Sequence, residues 1–290
     1  MESNARARTL GAELRDLRKA KRLSMVRLGD QVGIDKSTLS RVERGERPAT
    51  ETETASILGA LGVVGAKRRE LLTLAREAAK SNWLATGPGV PPQQLKALME
   101  YERVATFMME VNPLLVPGLL QTPDYALTIM TEGGLSNAEA HERVGLRLDR
   151  QRVITRDADP VPYLSIMDEF VLRRPVGGRA VMAGQLRHLA AMARRDNVTV
   201  RVVPKERGYH PGLYGSFVLL ESARTAPVVH LEHLRSNLFL YKWEDVRGYI
   251  DLKSTLLAAT AGVEESMDLI EQCAEDMEGR RSGHLAEVEP

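Results

Sequence analysis

Apolar and polar positions follow two different periods along the chain, and the change between them divides the sequence. Up to about residue 80, apolar residues recur every three or four positions, which predicts five short amphipathic helices. From about residue 161, short runs with a period of two indicate strands between helices. We therefore predict an N-terminal all-α five-helix domain, followed by an α/β (α+β) domain with a mixed sheet.

The boundaries of these parts follow from composition. Residues 1–80 form the predicted helical domain, and residues 81–92, which include the Pro- and Gly-rich stretch WLATGPGVPP, form a predicted linker. The α/β body is expected over residues 93–277. The polar residues 278–290 are predicted to be a flexible tail.

The segment from residue 24 to residue 45 has the most specific local pattern. Ser24 and Asp35 are suited to cap two short helices, and Gly33 and Gly45 are suited to follow their ends. The order of capping, apolar and glycine residues resembles the helix-turn-helix of the Cro and lambda-repressor (Xre) class. This resemblance implies a DNA-binding transcription regulator.

The second helix of this motif leaves polar side chains free to enter the major groove of DNA. Lys and Arg can donate to guanine O6 and N7, and we predict base contacts from Lys36, Ser37 and Arg41. Thr38 and Arg44 are predicted to contact phosphates, together with backbone amides at the helix starts. A solvated, charge-rich surface helix is the alternative, but the spacing of the motif favours DNA binding.

The resemblance to the Xre class also implies an ion pair. In that class an arginine of the first helix pairs with a glutamate at the end of the recognition helix, and Arg18 and Glu43 stand at the matching positions. A partly buried pair of this kind would set the angle between the helices without necessarily adding net stability. The alternative is that both side chains are exposed and unpaired.

Charge is divided unevenly over the chain. The net charge is +1, but residues 1–80 carry 17 Lys and Arg against 11 Asp and Glu, and the remainder carries 23 against 28. A basic domain on an acidic body suits contact with phosphate by the N-terminal part alone. No run of about 18 apolar residues and no signal-peptide core is present, so we expect a cytoplasmic, nucleoid-associated protein without a membrane partner.

Longer strings in the body resemble one family. They include VPGLLQTPDYA, DEFVLRRPVGG, NVTVRVVP and GYHPGLYGSFVLLE, and the resemblance spans about Leu10 to Ile270. The family is the actinobacterial WhiJ-like group, in which an Xre-type helix-turn-helix precedes a domain of unassigned function. Membership implies a developmental or specialised-metabolism regulator. Such regulators are often encoded beside a small partner protein, in an arrangement likened to toxin and antitoxin.

A set of polar residues in the body could hold a polar ligand or a peptide terminus, because arginines stand beside carboxylates near the end of a predicted strand. The alternative, which we favour, is an ion-pair network that joins a helix to the sheet. The set comprises Arg147, Arg150, Gln151, Asp168, Glu169, Arg173 and Arg174.

The sequence supports a metal site or an enzyme less well than it supports DNA binding. His230 and Glu232 would point to one face of a strand and His233 to the other, so we predict no metal site and no cofactor. The strand NVTVRVVP faintly resembles phospholipase D-like sheets, but paired His-x-Lys motifs, Gly-x-Ser-x-Gly and P-loop patterns are missing. We therefore expect no enzymatic activity. The apolar segment LLVPGLL could be a docking surface, although core packing is the explanation that we favour.

Together these patterns predict a homodimer that binds a double-stranded DNA operator, with recognition helices about 34 Å apart or a multiple of that distance. The body is predicted to set DNA affinity by sensing a small-molecule effector or a small partner protein. An antitoxin-like protein-interaction module is the main alternative, and a phospholipase D-like enzyme fused to a DNA-binding domain is a weaker one.

Overall fold

The computed structural model describes residues 5–78, 83–86, 92–223, 225–233 and 236–279. The chain forms two compact units, one from residues 1–108 and 217–251 and the other from residues 109–216 and 252–290. Residues 280–290 of the predicted tail lie outside the described residues, as do residues 81–82 and 87–91 of the predicted linker.

Five helices open the first unit, as the apolar spacing predicts. Their shared feature is a row of leucines, isoleucine and valine that is almost completely buried, and this row forms the core of the bundle. The helices are α1 (Ala5–Ala20), α2 (Met25–Val32), α3 (Lys36–Glu43), α4 (Glu51–Ala60) and α5 (Gly65–Glu77).

Local hydrogen bonds fix the ends of α2 and α3. Ser24 Oγ accepts from the Arg27 amide at 3.2 Å, and Asp35 Oδ1 accepts from the Thr38 amide at 2.9 Å. Gly33 ends α2 with a φ of 70°, a left-handed conformation that is costly for a residue with a Cβ. The caps and the turn of the predicted helix-turn-helix are therefore present.

The remaining elements follow in chain order: β1 (Trp83–Thr86), α6 (Pro92–Val104), β2 (Phe107–Asn112), α7 (Pro123–Glu132), α8 (Asn137–Thr155), β3 (Tyr163–Asp168), α9 (Glu169–Arg173), α10 (Gly178–Ala193), β4 (Val198–Val203), β5 (Phe217–Glu221), β6 (Val228–His233), β7 (Ser236–Leu240), α11 (Trp243–Ala259) and α12 (Val263–Glu278).

The first unit also contains antiparallel strands in the order β1, β7, β6, β5. In this sheet Trp83 pairs with Phe239 and Val218 pairs with His230. Strand β1 lies within the stretch predicted to be a linker. The Pro and Gly content of that stretch disfavours a helix but permits a short strand at the edge of a sheet.

The second unit is built on the parallel pair β3 and β4, in which Tyr163 pairs with Val198. All six residues of β3 are buried, as expected for a parallel strand covered on both faces. Arg187 of α10 and Arg194, which follows its last residue, pair with Glu278 and Glu271 of α12, at 2.9 and 2.5 Å. Antiparallel and parallel pairs are both present, so the predicted α/β body with mixed strand directions is confirmed.

The segment LLVPGLL belongs mainly to the core of the second unit. Val116, Leu119 and Leu120 are at most 2 % exposed, whereas Leu114 is 62 % exposed. Core packing therefore accounts for most of its apolar surface. Among the described residues, no helix has both the length and the apolar character needed to cross a bilayer.

The capping box at the start of α4 provides a test of these local interactions. The Glu53 amide donates to Thr50 Oγ1 at 3.1 Å, and the Thr50 amide donates to Glu53 Oε2 at 2.8 Å. We expect Thr50→Ala to lower the free energy of unfolding by about 1 kcal/mol, because the Glu53 amide loses its side-chain acceptor. Urea unfolding of Thr50→Ala beside Thr52→Ala, an exposed threonine of the same helix, measures this. Equal stability of the two variants would contradict the assignment.

Candidate nucleic-acid interface

The outward face of α3 presents the side chains predicted to read bases. Lys36, Ser37 and Arg41 are all exposed. Across the described part of the chain, the side chain of neither Lys36 nor Arg41 has a hydrogen-bond or ion-pair partner. Their donor groups are therefore available to an external acceptor, such as guanine O6 or N7.

Ser37 differs from its two neighbours because its hydroxyl already has an acceptor. Ser37 Oγ donates to Asp35 Oδ1 at 2.6 Å. Hydrogen bonds from Ser37 and Thr38 hold the pKa of the Asp35 carboxyl well below its usual value, so Asp35 is ionised. In this arrangement the oxygen of Ser37 can still accept, and the groups that donate in the major groove are adenine N6 and cytosine N4.

The two predicted phosphate-contacting residues have different surroundings. Thr38 is half-buried, and its amide serves the cap at Asp35. Arg44 is exposed, but its Nε and Nη2 donate to the Glu46 carboxylate at 2.8 and 2.9 Å, and its Nη1 donates to Ser40 Oγ. The hydrogen bonds to Glu46 raise the pKa of Arg44. A carboxylate therefore occupies one edge of this guanidinium.

Arg18 and Glu43 lie together under the recognition helix. Arg18 Nε and Nη2 donate to the two carboxylate oxygens of Glu43 at 2.5 and 2.7 Å, and Nη1 donates to the Leu23 carbonyl at 2.8 Å. Their side chains are 9 % and 1 % exposed. Beside the pair, a Cβ on Gly11 would lie 2.3 Å from the Val42 carbonyl oxygen, so only glycine permits this approach of α1 to α3.

Helix α1 also packs on α6 through charged side chains. Arg15 Nη2 donates to Glu100 Oε1 at 2.7 Å, and Lys96 Nζ donates to Glu13 Oε1 and Asp16 Oδ2 at 3.0 and 2.8 Å. Burial alone would raise the pKa of Glu100, but the hydrogen bond from Arg15 and the nearby positive charge outweigh burial and lower it. The carboxylate is therefore ionised where α1 and α6 meet.

An aromatic contact closes the same interface near the start of α1. The Arg8 guanidinium lies 4.2 Å from the centroid of the Tyr101 ring, and Nη2 donates to Thr225 Oγ1 at 2.5 Å. Tyr101 in turn stacks on Phe239 of β7, with centroids 5.8 Å apart. The sequence analysis did not predict that α6 packs on α1. The opposite charges of Lys96 and Glu100, four residues apart on one face of α6, could have indicated a charged partner helix.

The polar residues predicted as a site in the body have two different sets of partners. Arg147 Nη1 donates to Gln121 Oε1, and Gln151 Nε2 donates to the carbonyl oxygens of Gln121 and Gly118 at 2.7 and 3.4 Å. These two residues therefore position the loop before α7. Arg150 is half-buried on the same helix.

The carboxylates of the set lie after β3, where they hold the segment that follows β4. Asp168 Oδ1 caps α9 at the Phe170 amide, and Asp168 Oδ2 lies 3.1 Å from His210 Nε2. Glu169, 1 % exposed, accepts from Arg173 Nε at 2.6 Å and from the Lys205 amide at 2.9 Å. Burial raises the pKa of Glu169, but these hydrogen bonds outweigh it and lower the pKa below its usual value.

Lys205 and His210 were missed as partners, because nothing periodic in the sequence places them beside Asp168 and Glu169. Arg174, the last residue of the predicted set, lines an open cleft of about 630 Å³ together with Gly177 and Gly178. Within the described residues, no group of three or more His, Cys, Asp or Glu side chains is arranged to hold a metal ion.

Two known families match this chain. The family described as a helix-turn-helix domain matches residues 9–71, and the family described as a domain of unknown function, DUF5753, matches residues 95–272. No curated protein and no solved structure matches. The first match runs from within α1 to within α5, and the second runs from within α6 to within α12.

The buried pair of Arg18 and Glu43 gives a testable prediction. We expect Glu43→Ala to lower the free energy of unfolding by about 3 kcal/mol, because the guanidinium is left buried without its counter-ion. The double variant Arg18→Met, Glu43→Leu removes both charges and should be closer to the wild type. Urea unfolding measures both, with Glu51→Ala, which breaks an exposed pair with Arg76, as the control. A Glu43→Ala protein as stable as Glu51→Ala would contradict the prediction.

Proposed function

We propose that this chain, which belongs to the DUF5753 family, is a sequence-specific transcription regulator that binds an operator through α3. Its helix-turn-helix domain indicates DNA binding and transcription regulation. The observation that supports the assignment of individual residues is the exposed face of α3, where the side chains of Lys36 and Arg41 have no partner among the described residues. This helix is held from behind by the buried pair of Arg18 and Glu43, so its orientation does not depend on DNA.

The chemistry of this face favours particular base contacts. Lys36 and Arg41 donate to guanine, whereas the oxygen of Ser37, whose proton is given to Asp35, accepts from adenine or cytosine. Thr38 and Arg44 contribute phosphate contacts. The regulator acts as a homodimer at the nucleoid, with two recognition helices about 34 Å apart on one side of the duplex.

Replacing the proposed base-reading arginine tests this assignment. Arg41→Ala should weaken binding to the preferred sequence, first selected with the wild type from random duplexes, by about 5- to 150-fold, because a bidentate base contact is lost. The slope of affinity against salt should change little, since the lost contact is not to phosphate. Fluorescence anisotropy measures the affinities. The matched control is Arg152→Ala, which removes an exposed arginine of α8. Unchanged binding by a folded Arg41→Ala would refute the assignment.

The second part of the proposal is that the body sets DNA affinity. Lys96 and Glu100 belong to the DUF5753 match, and both contact α1. Helix α1 in turn holds α3 through Arg18 and through the close approach at Gly11. A change in the position of α6 is therefore transmitted to the recognition helix through a single shared helix.

The input to the body is a small-molecule effector or a small partner protein encoded nearby. The resemblance to actinobacterial WhiJ-like regulators supports the partner protein and, with it, an antitoxin-like role as the alternative. The proposal includes no enzymatic step. Asp168 and His210 are both buried and bind each other, which suits a role in holding the loop after β4.

Transmission through the contact between α1 and α6 can be tested with two variants that change the net charge in opposite directions. Arg15→Gln and Glu100→Gln break the same ion pair, but one lowers and the other raises the net charge. If the contact transmits to α3, both should change operator affinity in the same direction, by about fivefold or more. Anisotropy titrations measure this, with hydrogen exchange of α1 as the readout of the broken contact. Opposite shifts of similar size would show a plain charge effect and contradict transmission.

A further inference from the structure

We propose that Glu46 is a specificity-determining residue of the DNA-binding surface: it occupies the guanidinium of Arg44 and thereby lowers affinity for DNA of unrelated sequence. The inference rests on the proposed function, because it concerns the phosphate contacts made beside α3. It assigns a role to an acidic residue that lies among the basic side chains meant to meet DNA.

The pair of Arg44 and Glu46 occupies the edge of the guanidinium that a phosphate would bind. Arg44 follows the last residue of α3 and is 41 % exposed, while Glu46 is 20 % exposed. The two hydrogen bonds, at 2.8 and 2.9 Å, occupy the edge formed by Nε and Nη2, and Ser40 accepts from Nη1. A phosphate prefers the same two-pronged contact with an arginine. Phosphate can therefore take this edge only by displacing Glu46.

The backbone holds Glu46 in place. Gly45 adopts a φ of +67°, and a Cβ there would lie 2.5 Å from Arg8 Cα, so the chain reverses direction at a glycine that packs on α1. After the reversal, the Glu46 amide donates to the Arg41 carbonyl at 2.9 Å. The backbone of Glu46 is therefore held against the end of α3, which places its carboxylate within reach of Arg44.

Stability does not account for the pair. An ion pair at this exposure contributes little to folding, because nearby water weakens the attraction and ordering the two side chains costs entropy. Its effect on DNA binding is larger, since the acid competes with phosphate for one cation and repels phosphate by its own charge. Non-specific binding depends on phosphate contacts alone. Specific binding adds base contacts, which hold the phosphates in register with Arg44 and make the displacement of Glu46 easier.

Glu46→Gln is the test, and Glu51→Gln is its matched control. Each removes one negative charge from the helix-turn-helix domain and breaks a two-pronged pair with an arginine, Arg44 or Arg76. We expect Glu46→Gln to raise affinity for a duplex of unrelated sequence by about fivefold over Glu51→Gln, with a smaller gain for the preferred sequence. The slope of log affinity against log salt should steepen by about 0.9, the value for one added phosphate contact.

The background variant Arg44→Ala separates the pair from general charge effects. In Arg44→Ala, the further change Glu46→Gln should raise non-specific affinity no more than Glu51→Gln does. An equal gain with and without Arg44 would overturn the inference, as would a Glu46→Gln protein that matches Glu51→Gln. Those outcomes leave the proposed function intact. A wild type that selects no sequence and binds no duplex would instead overturn the proposed function and the inference with it.

Discussion

The buried contact between Arg18 and Glu43 is the constraint on which the DNA-binding surface depends. Both side chains are almost completely buried, so their charges must form hydrogen bonds inside the domain. Arg18 donates to the Glu43 carboxylate and to the Leu23 carbonyl. This requirement permits few angles between α1 and α3. Because α1 also packs on α6, one helix carries both the recognition helix and the contact with the DUF5753 region.

The distribution of partners matters more to this surface than its net charge. Residues 1–80 have a modest excess of basic side chains, and several of these are already paired with acids. Arg15 is held by Glu100, and Arg44 is held by Glu46. On α3, by contrast, the side chains of Lys36 and Arg41 have no partner among the described residues. The side chains that we propose to read bases are therefore not neutralised by acids of their own domain.

Prediction from the sequence succeeded where the controlling interactions are local. The bounds of α3 and β4 agree with the sequence patterns, because a cap at Asp35 and alternation of buried residues act within a few positions. Strand β1 was missed, since it exists through pairing with β7, more than a hundred residues away along the chain. For the polar set of the body, the sequence predicted one network, whereas the structure shows two groups of contacts whose partners Gln121, Lys205 and His210 were not predicted.

The sequence by itself determined the helix-turn-helix and the polar face of α3, because capping, glycine turns and helical periodicity are contacts between near neighbours in the chain. Only the tertiary structure decided which of those polar groups are engaged and which helix links them to the body. The contact of Arg15 with Glu100 and that of Asp168 with His210 join residues far apart in sequence. No local pattern encodes such pairs, since they form only when packing brings distant elements together.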